Sequence, residues 1–245
     1  MVKENSTSID MISNLPIEIL CHILSFLPIK QAFSTTILSK RWTSLYKLLT
    51  HLHFDDESVS DEDAFLRYVS FVNTVMLSTE LIKTFHIKYG STHWQRVRNF
   101  NLIDSLIQTA KQHPVENLQL FSPLIGINLP PTIFSFPTLV VLKLTKFRIT
   151  CNINISVIDL PSLKTLHLIG VSFKDEENFN KLLYGCPVLE DLVVFIFCIE
   201  RFENASVVNT REFKPLSSLI RASIDETYVP LTALYNVQNL ELEVR

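Results

Sequence analysis

A leucine-rich pattern returns at an almost constant interval in the second half of the chain and limits the fold more than any other feature. The template L-x-x-L-x-L, with other large aliphatic residues allowed, starts at residues 115, 139, 163 and 189, so its copies lie 24, 24 and 26 residues apart. Such a period predicts one short strand per repeat in a stacked array. The four strong copies are Val115, Leu118 and Leu120; Leu139, Leu142 and Leu144; Leu163, Leu166 and Leu168; and Leu189, Leu192 and Val194.

Weaker copies flank the four strong ones, at 82–87, 219–224 and 237–242. Proline turns precede several copies, as in SFPTL, DLPSL and GCPVL, and EENFNKLLYGC has the spacing of a helix that Gly185 can cap. A strand followed by a helical or irregular return predicts an α/β fold, a leucine-rich-repeat solenoid with a parallel sheet on its concave face. We expect about six or seven repeats over residues 66–245.

The outward-facing strand positions are the candidates for substrate contact, because the leucines of such a repeat point inward and side chains alternate along a strand. In the segment LVVFIFCI the outward-facing residues Val193, Phe195 and Phe197 are all apolar where polar residues would be expected, which indicates either a hydrophobic contact or burial beneath a loop or missing repeats. The proposed substrate-binding residues are His86, Lys88, Gln119, Phe121, Lys143, His167, Asp191, Val193 and Phe195, with the strand neighbours Thr84, Asn117, Val141, Thr145, Thr165 and Ile169.

Residues 10–50 are predicted to form a small domain of three short helices. The first follows an N-cap at Asn14 or Ser13 and ends before Pro28, and its apolar stripe is Ile19, Leu20, Ile23, Leu24 and Leu27. The second is expected from Lys30 to Ile37. The third begins near Ser39 and should direct Trp42, Leu45, Leu48 and Leu49 inward. Because three short helices form only a marginal core, the stripe predicts a partner or an adjoining domain.

An acidic segment follows the helices. Six acidic residues and no basic ones lie between Asp55 and Asp63. We interpret residues 51–65 as a solvated connector between the two domains.

The segment DMISNLPIEILCHILSFLPIKQAFSTTILSKRW resembles the F-box of plant F-box and leucine-rich-repeat (FBD-type) proteins. The resemblance rests on Leu15-Pro16, Ile19-Leu20, Phe26-Leu27-Pro28 and the closing SKRW, together with FPTLVVLKL and CPVLEDLVV in the repeats. It implies a non-catalytic, substrate-recognition subunit of a Skp-cullin-F-box E3 ubiquitin ligase. The F-box would dock on a Skp-type adaptor, and through it a cullin, while the repeats capture a protein substrate or a small molecule that completes the substrate site.

The resemblance also implies which residues carry the adaptor contact or support it. They are Leu15, Pro16, Ile19, Leu20, Ile23, Leu24, Leu27, Pro28, Leu38 and Trp42. The chain departs from the family at Ile17, where an acidic residue is usual, and in its short length. Because it stops at LELEVR without a polar capping repeat, we interpret it as a truncated member.

Charge and motif content argue against other classes of function. A net charge of −3 and a pI near 6.2 provide no basic field for nucleic acid or anionic membranes. The polar amino terminus and the absence of a long apolar run predict an intracellular protein of the nucleus, the cytoplasm or both. The pair His51 and His53 has no further ligands at metal spacing, and the four glycines are too dispersed for a phosphate loop, so no metal or cofactor is expected.

Two alternatives to the receptor remain open. One is a leucine-rich-repeat scaffold or truncated decoy without a ligase role. The other is an enzyme, which requires a convergent set of polar groups that the sequence does not indicate.

Overall fold

A helical amino-terminal region leads into one large sheet in the computed structural model. The model describes residues 12, 14–56, 59, 61–88, 100–123, 127–150, 153, 158–199, 216–225 and 234–243. The helices are α1 (Ile17–Ser25), α2 (Ile29–Ser34), α3 (Glu62–Ser78), α4 (Phe100–Ala110) and α5 (Glu176–Tyr184), with short 3₁₀ helices at Thr35–Ile37, Trp42–Leu48 and Pro131–Phe134. The strands are β1 (His51–Asp55), β2 (Thr84–Lys88), β3 (Asn117–Phe121), β4 (Ile127–Asn128), β5 (Val141–Thr145), β6 (Phe147–Ile149), β7 (Thr165–Phe173), β8 (Asp191–Ile199), β9 (Arg221–Asp225) and β10 (Asn239–Glu243).

All pairs in the sheet are parallel, and the main path runs β1-β2-β3-β5-β7-β8-β9-β10. The register does not shift from β1 to the middle of β8, so the first residue of each strand pairs with the first residue of the next. Outside the path, β4 pairs with β6, which pairs with β7. The predicted α/β solenoid with a parallel sheet is confirmed.

The inward-facing residues of the repeats form one continuous core. All twelve residues of the four strong copies are buried, and so are the weaker copies at 82–87 and 219–224. The return segments cover this core with their own apolar residues: Val72, Val75 and Met76 of α3; Ile103, Leu106 and Ile107 of α4; Ile133 and Phe134; and Phe179, Leu182 and Leu183 of α5. Stacked repeats therefore share a single hydrophobic interior.

The residues that the sequence places in an acidic connector begin with a strand instead. Leu49, Leu52 and Phe54 are buried, and β1 pairs in register with β2, so LLTHLHF is a further copy of the repeat. Among the described acidic residues that follow β1, Asp56 is buried, and the exposed Asp61 accepts a hydrogen bond from the Ala64 N–H at 2.7 Å as the N-cap of α3. The structure thus corrects the predicted connector at 51–65.

A repeated backbone contact fixes the register where each strand begins. The carbonyl of Lys83 accepts hydrogen bonds from the N–H groups of Glu116 and Asn117, at 2.8 and 3.0 Å. The same double contact recurs along the sheet, at the carbonyls of Thr50, Glu116, Val140, Lys164, Glu190 and Ile220. Every repeat is therefore held to its neighbour by the same geometry.

Two glycines are required for different reasons, one for its backbone conformation and the other for the space around it. Gly170 follows the straight part of β7 with φ +63°, a left-handed conformation that Lys146 also adopts one repeat earlier, at φ 62°. Gly185 has φ −78°, so it does not end α5 through the left-handed turn that favours glycine. It is needed for space, because a Cβ there would lie 2.1 Å from Cγ2 of Ile158.

The amino-terminal helices differ in detail from the prediction. The N-cap residue of α1 is Pro16, α1 ends at Ser25, and the third helix is a 3₁₀ helix in which Leu48 is exposed although it was expected to point inward. This region packs on the first return helix through the rings of Phe33 and Phe71, whose centroids are 5.3 Å apart. The Tyr46 hydroxyl also lies 3.0 Å from the Ser78 hydroxyl. Within the described ranges, no helix has the length and apolar character needed to cross a bilayer.

Replacing Leu142 by alanine should lower the free energy of unfolding by about 2–5 kcal/mol, since Leu142 is fully buried at the centre of the sheet. Leu240→Ala is the matched control. It removes the same atoms from the same sheet column in β10, where Leu240 is 43% exposed, and should cost about 1 kcal/mol or less. Denaturant unfolding followed by circular dichroism measures both, and equal losses would contradict the stacked core.

Candidate functional site

Helix α1 has two adjacent apolar faces, and only one of them enters the protein's own core. Leu20 and Leu24, one turn apart, are completely buried. Ile19 and Ile23, which have the same spacing on the neighbouring face, are 45% and 42% exposed. Because the buried pair already anchors the helix, the exposed pair is not needed to hold α1 in place.

More apolar side chains are exposed after α1 and after the second helix. Phe26 is 74% exposed and Ile37 is 86% exposed, and Leu27 and Leu38 are exposed as well. We call Ile19, Ile23, Phe26, Leu27, Ile37 and Leu38 the exposed apolar set. Large apolar side chains left in water in such numbers are typical of a binding surface.

The residues expected to make or support the adaptor contact are partly buried and partly exposed in the structure. Leu20, Leu24 and Trp42 are buried in the protein's own core, so they can support a contact but cannot make one. Leu15 is partly buried, and its carbonyl accepts a hydrogen bond from the Arg41 guanidinium, which ties the Leu-Pro turn to the SKRW segment. Exposed members are Pro16, Ile19, Ile23, Leu27, Pro28 and Leu38.

Phe26 and Ile37 are missing from the nominated set although they are among the most exposed apolar residues of the region. For Phe26 a signal was present in the Phe26-Leu27-Pro28 segment. For Ile37 no pattern distinguishes an exposed position from a buried one, because the short 3₁₀ helix that carries it is too brief for a periodicity.

A second surface is formed by the outward-facing residues of the strands, and we call it the open face. The unshifted register arranges these residues in three columns across the sheet. The columns are His51, Thr84, Asn117, Val141, Thr165 and Asp191; His53, His86, Gln119, Lys143, His167 and Val193; and Asp55, Lys88, Phe121, Thr145, Ile169 and Phe195. All nine proposed substrate-binding residues lie in these columns and are half-buried, and their contact with a substrate stays a prediction.

The central column surrounds a hollow of about 340 Å³. The imidazole rings of His53 and His86 lie against each other at its β1 end, with centroids 4.1 Å apart and planes tilted by 32°. His53 is absent from the proposed substrate set because its strand was not predicted. The lining residues are His53, His86, Lys88, Gln119, Leu120, Phe121, Lys143, Thr145, His167 and Ile169.

The carboxylates of the open face lie at the two sides of the hollow rather than in its lining. Asp55 pairs with the Lys88 ammonium at 3.3 Å. Asp191 lies 3.3 Å from the Arg221 guanidinium, and its nearest approach to Nε2 of His167 is 3.7 Å, too long for a hydrogen bond. Both are exposed or half-exposed pairs, so they add little to stability.

Both half-buried histidines of the central column are shifted toward the neutral form. Burial, and after it the field of His53, lowers the pKa of His86, with Lys143 acting in the same direction and Asp55 against it. Burial, and after it the Lys143 ammonium, lowers the pKa of His167, against the opposing effect of Asp191. The neutral forms of both histidines are therefore favoured, and Lys143 of the central column and Lys88 beside it are the other basic side chains of the hollow.

The β8 end of the open face is less polar. Val193 pairs with His167 and Phe195 pairs with Ile169, and both β8 residues are half-buried while Ile169 is exposed. The side chain of Phe197 lies outside the described residues.

Two family models match this chain. The F-box domain model matches residues 12–45, and the model of the leucine-rich repeats of FBD-associated F-box protein At5g56370 matches residues 103–221. The chain is 31% identical over 233 residues to the Arabidopsis thaliana FBD-associated F-box protein At3g52670, covering 87% of this chain and 53% of the relative. It is 33% identical over 238 residues to the Arabidopsis thaliana putative F-box/FBD/LRR-repeat protein At5g56810, covering 94% and 53%.

The chain is a member of the plant F-box and leucine-rich-repeat family. The F-box model spans α1, α2 and most of the 3₁₀ helix Trp42–Leu48, and therefore contains the exposed apolar set. The repeat model begins inside α4, so β1 and β2 lie before it although they continue the same sheet. The chain spans about half the length of these curated relatives.

Among the described residues of this F-box/LRR chain, metal-binding groups and cysteine thiols add no further candidate site. In the part of the chain that the structure describes, no three His, Cys, Asp or Glu side chains are grouped to hold a metal ion. Burial raises the pKa of the Cys186 thiol to about 12, so this cysteine stays protonated at neutral pH.

Replacing Lys143 by methionine should raise the pKa of both His86 and His167, because the ammonium disfavours a second positive charge nearby. The larger change is expected at His167, where the charge of Lys143 is the strongest cause of the lowered pKa after burial. Imidazole chemical shifts followed by NMR over the acidic to neutral range measure both. Lys164→Met, at a lysine paired with Glu190 before β7, is the control. Unchanged histidine pKa values in Lys143→Met would disprove the electrostatic coupling.

Proposed function

We propose that this chain is the substrate-recognition subunit of a Skp-cullin-F-box E3 ubiquitin ligase and has no catalytic role of its own. One observation carries the proposal: α1 is anchored by Leu20 and Leu24 while Ile19, Ile23 and Phe26 remain exposed, within a segment that matches the F-box model. A helix that presents apolar side chains at intervals of three and four residues suits a groove on a partner protein.

The exposed apolar set is suited to a Skp-type adaptor by its chemistry. A protein interface derives most of its affinity from a few large apolar side chains that become fully desolvated on binding. Phe26 and Ile37 offer the largest exposed fractions of the set and are its best candidates for anchors. The cullin would then be reached through the adaptor.

The packing of the F-box region on the solenoid supports a receptor role. The 3₁₀ helix Trp42–Leu48 leads through Leu49 directly into β1. Phe33 and Tyr46 contact α3. The adaptor surface and the open face are thereby parts of one packed unit. A substrate held on the open face would be kept in a defined position relative to the adaptor, as ubiquitin transfer requires.

The open face is the proposed substrate surface, with the residues His86, Lys88, Gln119, Phe121, Lys143, His167, Asp191, Val193 and Phe195. An intracellular location, in the nucleus, the cytoplasm or both, belongs to the same proposal because the receptor would work together with the cullin machinery. Imaging of a fluorescent fusion in plant cells tests that location.

The double variant Ile23→Ala/Phe26→Ala should weaken binding to a purified Skp-type adaptor by about 100-fold or more, since each residue is exposed enough to be an interface anchor. The matched control is Leu66→Ala/Leu77→Ala, which removes two exposed leucines from α3, outside the F-box match. Calorimetric titration measures the affinity, and circular dichroism checks that both variants are folded. Wild-type affinity in the first variant would show that the adaptor surface is wrongly assigned.

The receptor is distinguished from a scaffold by turnover. Proteins captured on the chain in plant cells should accumulate when cullin activity is blocked, and should not be destabilised by the Ile23→Ala/Phe26→Ala variant. Partners whose abundance is the same with and without cullin activity would favour the scaffold without a ligase role.

A further inference from the structure

The centre of the open face concentrates groups that carry, or can take up, positive charge. The central column places His53, His86, Lys143 and His167 on β1, β2, β5 and β7, in one row across the sheet. Adjacent strands of a sheet lie about 4.8 Å apart, so these side chains belong to one short segment of the surface. Lys88 of the neighbouring column lines the same hollow.

The charged groups that line the hollow are basic. Among the described residues, its lining contains three histidines and two lysines but no carboxylate. Lys88 is paired with Asp55 at one side, and Asp191 is paired with Arg221 at the other. Lys143, between them, has no ion pair with any carboxylate of the described residues, and the buried Nε2 of His167 has no hydrogen-bond partner there.

The size and walls of the hollow limit what can enter. A volume of about 340 Å³ lies near the lower end of ligand pockets and suits a single side chain with part of its backbone. Leu120, Phe121 and Ile169 add apolar lining beside the cationic groups, while Gln119 and Thr145 add neutral hydrogen-bonding groups. An aliphatic stem that ends in an anion would match both parts.

From this arrangement we infer that the hollow recognises an anionic side chain of the protein substrate, either a carboxylate or a phosphate, with Lys143 as its principal partner. The inference rests on the proposed substrate-receptor function and names the chemistry of the substrate. His86 and His167 line the hollow beside Lys143, and their imidazolium forms add positive charge next to the same anion.

The acidity of the solution should therefore regulate the affinity. His86 faces His53, Asp55 and Lys143, while His167 faces Lys143, Asp191 and Arg221, and both imidazoles have a lowered pKa in the free protein. An entering anion favours the imidazolium form and raises both pKa values, so binding takes up protons. The complex should become tighter as the pH falls from about 7.5 to about 6.

A nucleic acid fits the same surface less well. The cationic groups form one compact cluster bordered by Asp55 and Asp191, whereas a polyanion needs a continuous basic track, and the chain as a whole carries a net charge of −3. An isolated anionic group on an otherwise uncharged peptide is the better match.

The test selects random twelve-residue peptides displayed on phage against the full chain, and then measures synthetic versions of an enriched peptide by fluorescence anisotropy. Enriched peptides should share an Asp or Glu. Replacing that residue by its amide should weaken binding about tenfold or more, and phosphoserine at the same place distinguishes a phosphate from a carboxylate as the preferred anion.

Lys143→Met should weaken binding of the enriched peptide by a similar factor. Lys164→Met should leave the peptide's affinity unchanged, since Lys164 is already paired with Glu190 at 2.8 Å. His86→Asn/His167→Asn should remove most of the pH dependence. Retention of adaptor binding by each variant shows that it is folded.

The inference would be overturned by enriched peptides without an acidic residue, or by peptides that bind Lys143→Met as well as the wild type. Single-stranded RNA that competes as strongly as the peptide would overturn it too, as would a selection that enriches nothing. The adaptor titration is independent of all four results. A neutral peptide bound to the open face would contradict the anion inference but leave the receptor proposal intact. Failure of the wild-type chain to bind the adaptor would contradict only the receptor proposal, because the peptide measurements test the hollow directly.

Discussion

The parallel register of the sheet is the constraint on which the rest of the structure depends. At the start of each strand one carbonyl accepts two N–H groups from the next repeat, so neighbouring strands cannot slide past each other without breaking both bonds. A slip of one residue would turn every inward leucine outward. The same contact therefore maintains the buried columns around Leu118, Leu142 and Leu166 and the open face on the other side.

The F-box region depends on the solenoid for part of its stability. Three short helices bury Leu20, Leu24 and Trp42, and the core continues without a break through Leu49 and Leu52 into the first repeat. Because this shared core anchors the helices, the neighbouring face of α1 is available for another protein. Exposed apolar residues such as Phe26 thus coexist with a folded domain, which a three-helix unit of this size could not easily achieve alone.

The sequence predicted the repeats where leucine recurred at a clear period and missed one where another interpretation competed. The copy at Leu49, Leu52 and Phe54 was hidden because LLTHLHF adjoins a predicted helix and an acidic run, each of which suggested a different structure. Its absence removed His53 from the candidate site. Gly185 was correctly placed at the end of a helix but for the wrong reason, since the side chain of Ile158 belongs to a distant segment that local patterns do not reveal.

Periodicity by itself determined the α/β solenoid and the residues of each strand that face inward, because these features depend on the direction of a side chain relative to its own backbone. The F-box segment was identified by its resemblance to a known family. Only the tertiary structure decided which apolar face of α1 is buried and which is exposed. It also decided that His86, Lys143 and His167, far apart in sequence, lie in one row around one hollow. The reason is that neighbours across a sheet, and the partner on which a helix packs, are set by long-range register and docking.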